Sequence, residues 1–290
     1  MSLRSCCAIT LVFAGMAALS GVACRAAELY VDNAWGRDGY SGRSPRPTGR
    51  LDGPVRTIQR AIDLAQRGDR IIVADTGVPY FESLSLTGDR HSGFEGAELT
   101  ILGNGATVSG ARLVPPAAWG YRGENLWSFT PFRKGHYLLL LDGRPVPEVA
   151  VPSDAPAPPD LPEGHWCAWR GTIHYRSGEL EDPRERGFAF GYEGVGLSLY
   201  DVRHVVVRDL TFEHFRQDGV HAHDLCRDVS LIDVTSRENG RAGVAVGGTA
   251  TVRVLGCRFA GNRLHDVLIR EQGQAAIEES ELEKPPTVID

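Results

Sequence analysis

Between Ser198 and Glu271 the chain carries a set of side chains able to move protons or hold charge: Tyr200, Asp201, His221, His223, Asp224, Arg270 and Glu271. Three chemistries use residues of these types. A glycoside hydrolase needs a carboxylic acid and a carboxylate across the scissile bond, which Asp224 and Glu271 would supply. A lyase or epimerase working beside a carboxylate needs a base and a positive group for the enolate-like intermediate. His223 or Tyr200 is then the base and Arg270 the neutraliser. A divalent cation could sit on His221, His223 and Asp224, because His-x-His on a strand presents two imidazoles together. No specific metal motif supports that last reading, and no other cofactor is indicated. The bland alternative is a solvated polar face, with Asp218 capping its turn.

What would bring these residues together is a repeat. Val205, Val229, Val252 and Ala275 are separated by 24, 23 and 23 residues, and Leu197, Val220, Val244 and Val267 by 23, 24 and 23. Leu199, Ala222, Val246 and Ile269 follow the same intervals. Each unit holds two short alternating segments parted by turn residues, the pattern of half-buried strands. A unit this short cannot bury its apolar side alone, so copies must stack. With the valine and leucine positions inward, the outward residues form columns: Ser198, His221, Ala245 and Leu268; then Tyr200, His223, Gly247 and Arg270; then Asp201, Asp224, Gly248 and Glu271. Gly247 and Gly248 leave a notch one coil tall. Asp224 and Glu271 are two coils apart, about 9.6 Å between backbones at the spacing of sheet strands, on the inverting side of the glycosidase range. Glu213, His214, Asp218, Arg241 and His265 fall on turns flanking this face.

The N-terminal part fits a solenoid. Ile58, Ala61, Ile62 and Ala65 mark one helical face, Thr57 can cap its start and Gly68 can end it. A helix there would cover the first coil's strand edge. Tyr30-Val31-Asp32, Asp38-Gly39-Tyr40-Ser41-Gly42, Thr57 to Ile62, Gly68 to Val73 and Ile101 to Gly110 resemble the opening of exported bacterial β-helix proteins of the pectin-lyase-like superfamily. That resemblance spans most of residues 28–110 and 195–282. It implies an all-β fold, a right-handed parallel β-helix, and a polysaccharide lyase, glycosidase or epimerase activity. The polygalacturonase-type Gly-His-Gly and paired-aspartate strand are not present.

Residues 111–194 break the repeat. They hold Trp119, Trp127, Trp166 and Trp169, with seven prolines from Pro145 to Pro162. Leu138 to Leu141 reads as a buried strand ending in an Asp142-Gly143 turn, and the prolines predict a stiff extended crossing. Trp119 and Trp127 suit a satellite core. Trp166, Trp169 and Tyr175, with Asp201, are the candidate sugar-binding residues.

The first 26 residues read as a secretory signal: Arg4, an apolar run from Cys6 to Leu19, then small residues up to Ala26. Lipidation at Cys24 is the alternative. The mature chain, 27–290, would be one β-helix domain in the periplasm or outside the cell, without a second stretch able to span a membrane. Without Arg4 and Arg25, 29 basic residues face 37 acidic ones, a balance of −8. That balance argues against nucleic acid and leaves a polysaccharide or oligosaccharide as the partner. Outside the signal only Cys167, Cys226 and Cys257 remain, too few for a disulfide framework. Lys284-Pro285-Pro286 reads as the end of the coils. The different-class alternative is a non-catalytic envelope protein that uses the solenoid for binding or spacing.

Overall fold

The computed structural model describes residues 26–289; the signal segment and Cys24 lie outside them. Three parallel sheets run along one stack. A seven-stranded sheet contains Glu28–Val31, Arg70–Val73, Leu99–Leu102, Arg203–Arg208, Arg227–Ile232, Thr251–Leu255 and Gln274–Glu278. A six-stranded sheet takes Leu84–Thr87, Val195–Tyr200, Asp218–His223, Ala242–Val246, His265–Arg270 and Thr287–Ile289, and a five-stranded one carries the short third side of each coil. Parallel neighbours joined by one coil each make this a right-handed parallel β-helix, the hand that strand twist imposes on such crossovers.

The register matches the repeat. Leu197, Val220, Val244 and Val267 pair in sequence, as do Val205, Val229, Val252 and Ala275. These columns, with Phe212, Phe215 and Phe259, fill one continuous core. Coil corners place Asp201, Asp224, Gly248 and Glu271 in the left-handed region, at φ of 53°, 58°, 63° and 59°. Asp and Gly tolerate that conformation best, which explains their recurrence at the strand ends.

Alternation fails at one place in each coil. A Cβ on Gly219 would lie 2.0 Å from Ser236 Oγ, inside the core, yet Val220 is also buried in it. Two successive inward residues throw Asp218, Ala242 and His265 onto the outer face.

Thr57 caps the Ile58–Leu64 helix by accepting from the Arg60 amide. Ala65, not Gly68, closes the helix; Gly68 turns the chain three residues later, at φ 80°. Gln59 bonds both the amide and the carbonyl of Ser85, so the helix covers the free edge of Leu84–Thr87. At the other end, Lys284-Pro285-Pro286 does not stop the coils. The chain resumes as Thr287–Ile289, paired with His265–Arg270, because the prolines occupy a corner where no ladder amide is required.

Residues 111–194 leave the five-stranded sheet after Ser109 and return before Val195. Their two ends meet, since the Gly110 carbonyl accepts from the Tyr192 and Glu193 amides at 2.9 and 3.0 Å. They fold as two four-stranded antiparallel sheets around Trp119, Trp127, Phe129, Trp166, Tyr175 and Phe188. Leu139–Leu141 turns through Asp142 and Gly143, both at positive φ, into Arg144–Pro145, the mirror-image turn that hairpin twist favours.

Candidate functional site

The outer columns of the six-stranded sheet form in the expected register: Ser198 beside His221, then Ala245, then Leu268, and Tyr200 beside His223. The side chains on either side of Gly247 bound the notch. A Cβ built on Gly247 would stand 3.0 Å from His223 Cδ2, 3.4 Å from His223 Nε2 and 3.9 Å from Glu271 Oε2. One point in space is therefore flanked by an imidazole nitrogen and a carboxylate oxygen from the coils on either side. His223 Nδ1 lies 2.7 Å from Asp224 Oδ1, which orients the ring and leaves Nε2 facing the notch. Glu271 Oε2 also accepts from the Gly248 amide at 2.5 Å.

The electrostatics distinguish the acids and bases. The Tyr200 hydroxyl, and after desolvation the His223 imidazole, act on Asp224, and their hydrogen bonds hold its carboxyl below the usual carboxylate range. The same bond to Asp224 raises the Tyr200 phenol. Asp201 adds a smaller raising effect on Tyr200 from one corner away. Arg270 is exposed and makes no ion pair among the described residues.

His221 does not share this dyad. Its Nδ1 is 3.6 Å from Asp218 Oδ2, and its ring meets that of His223 edge-on at 5.7 Å between centroids. Nor does Asp218 cap a turn: it is wholly buried and gripped by Arg241 through two bonds of 2.8 and 2.5 Å. His136 from the insert and His265 from the next coil stand in the field of the same pair. Burial pushes His136, His221 and His265 all below the ordinary imidazole value. His136 was not legible as part of this group, because it belongs to the insert and follows no repeat. Among the described residues no group of three His, Cys, Asp or Glu side chains converges as a cation would need: His221 turns to Asp218 while His223 turns to Asp224.

The insert packs on this sheet. Arg216 donates to the carbonyls of Lys134 and Gly135, and Arg263 pairs with Glu148 at 2.6 Å. Ala242, Ala245 and Leu268 point outward and are nonetheless buried, as a covered face requires. The aromatic residues expected to stack on sugar are not offered to solvent. Trp166 and Tyr175 are each 2% exposed, with Trp166 Nε1 donating to the Val146 carbonyl and Tyr175 to Glu181. Trp169 is half-buried, bonded to the Ala155 carbonyl, with the Arg170 guanidinium 4.7 Å over its ring. The Trp166 and Trp169 rings are used here to pin the proline-rich crossing, since both indole N–H groups donate to its backbone carbonyls.

No protein-family model matches the sequence, and no curated protein matches it. Solved structures do. XylC in complex with xylose superposes over 87% of this chain with a TM-score of 0.55 at 13% identity. A structure described as a glycoside hydrolase covers 84%, with a TM-score of 0.52 at 12% identity. Pectate lyase Pel9A covers 85% at 13% identity, with a TM-score of 0.38. The chain spans 58% of the length of XylC and 77% of the glycoside hydrolase. At these identities the likeness shows the fold alone, and that fold is the parallel β-helix seen in the sheets.

Proposed function

We propose that this is an exported carbohydrate-active enzyme that cleaves a uronate-containing polysaccharide at the Gly247 notch by base-assisted elimination. The observation that carries the reading is the His223–Asp224 dyad, bound through Nδ1 and open at Nε2 toward the notch. His223 Nε2 takes the proton from the carbon next to the uronate carboxylate. That electron pair forms the ring double bond as the bond to the glycosidic oxygen breaks, and the leaving oxygen takes a proton from the imidazolium or water. Arg270, exposed and unpaired among the described residues, neutralises the substrate carboxylate as its charge spreads. A second reading, hydrolysis, is favoured by the two neighbours described as XylC with xylose and a glycoside hydrolase. There Asp224, whose carboxyl is held ionised, would be the base and Glu271 the acid.

A polysaccharide panel incubated with the purified protein separates the two. Ultraviolet absorbance at the unsaturated-uronate band, lost by about 10²- to 10⁴-fold in His223→Ala with an unchanged melting temperature, supports elimination. Reducing ends without absorbance would replace it with hydrolysis. Full activity in His223→Ala, Asp224→Ala and Arg270→Ala together would remove the notch as the site.

A further inference from the structure

Where the insert leaves the β-helix, a second concavity of about 440 Å³ opens between Phe81, Leu113, Leu140, Asp142, Glu213 and His214. It lies at the corner before the six-stranded sheet, whereas the notch lies beyond that sheet's far end. Its mouth is apolar, with Phe81 63% and Leu113 68% exposed. Its floor is polar and enclosed: Glu213 is 7% and His214 4% exposed. Both hydrogen bonds from Arg237 fall on Glu213 Oε2, at 2.9 and 2.6 Å. His214 gives its Nε2 to Glu238 at 2.7 Å and stands 3.6 Å from Glu213 Oε1 through Nδ1. Among the described residues, Glu213 Oε1 is therefore a carboxylate oxygen with no donor in hydrogen-bond range, on a residue lining the cavity.

We infer that this cavity is a binding site for a neutral sugar residue, separate from the notch. An apolar ring and a leucine at the mouth match the flat C–H face of a pyranose, and an under-used carboxylate oxygen at the floor accepts from its hydroxyls. Charge selects within the class. The lining holds Glu213 and Asp142 against Arg112, an excess of one negative charge. A uronate, which brings its own carboxylate, is disfavoured there. The two sites would hold a heteropolysaccharide at two points, neutral units in the cavity and acidic ones at the notch.

The test is calorimetric titration of the full chain with methyl β-D-glucopyranoside, methyl β-D-galactopyranoside and methyl β-D-xylopyranoside, and with the methyl glucuronide as the charged counterpart. The expected result is binding of at least one neutral glycoside and at least tenfold weaker binding of the glucuronide. Glu213→Gln and the solvent-exposed Phe81→Ala should each weaken the neutral glycoside at least tenfold, and His223→Ala should leave it unchanged. Phe81→Ala keeps the test decisive if Glu213→Gln disturbs folding. No heat with any neutral glycoside at millimolar concentration overturns the inference, as does binding lost in His223→Ala but retained in Phe81→Ala. The experiment reads no turnover, so it stands or falls independently of the elimination reading.

Discussion

Three histidines gathered around one buried ion pair make acid stability a property of single residues. His136, His221 and His265 have their imidazoles lowered, chiefly by desolvation, around the Asp218–Arg241 pair. In the unfolded chain they titrate near 6.5, so on acidification the unfolded state takes up protons first. The folded state's advantage is whole above that pH and is lost as pH falls toward and through the lower folded values. The melting temperature should therefore drop between pH 7 and pH 5, and His221→Gln should flatten that drop. An unchanged slope in His221→Gln would mean that the buried face tolerates the charge. Which residues would meet at the notch was legible in the sequence, because a period of 23 to 24 residues fixes columns by arithmetic. How they pair was not. His221 and His223 share a face but serve different carboxylates, and the difference comes from the doubled inward step at Gly219, which strict alternation cannot supply.

At the scale of elements, the junction between insert and β-helix rests on close backbone approach. A Cβ on Gly240 would stand 2.3 Å from the Arg216 carbonyl oxygen and 2.5 Å from that of His136. Neither atom can withdraw without moving a coil corner or the insert. Gly240→Ala should cost about 1–3 kcal/mol by overpacking and should expose the segment around residues 133–148 to limited proteolysis. Wild-type resistance in that variant would place the insert's anchorage elsewhere, at Arg263–Glu148. The repeat predicted the columns of the two longer sheets, two strands per coil, and missed the short third strand that makes the five-stranded sheet; it said little about the insert, where aromatic and proline content is compatible with either a sugar platform or a core. Burial decided for the core: the two small sheets close around tryptophan and phenylalanine, with Val114, Leu139 and Ile173 between them.

Across the whole molecule, stability should be graded along the stack, because each coil leans only on its neighbours. Ala275, Ile277 and Leu282 in the last coil are partly exposed although they face inward, whereas Val220, Val244 and Leu231 are sealed. Hydrogen exchange followed by mass spectrometry should find the amides of residues 274–289 least protected and those of 218–255 most. Uniform protection along the stack would indicate a single cooperative unit instead.

The pairing of Leu84–Thr87 with Val195–Tyr200 sets a timetable for synthesis. Leu84 meets Leu197, so a strand made early waits about 110 residues, roughly 6 to 23 s at ribosomal rates, for its partner. During that interval one edge is shielded by the Ile58–Leu64 helix while the other lies open to any strand that finds it first. The nascent chain is thus most vulnerable to mispairing while the insert is being made. An insert that folds quickly and brings Gly110 and Glu193 together shortens the remaining search to the span of a single coil.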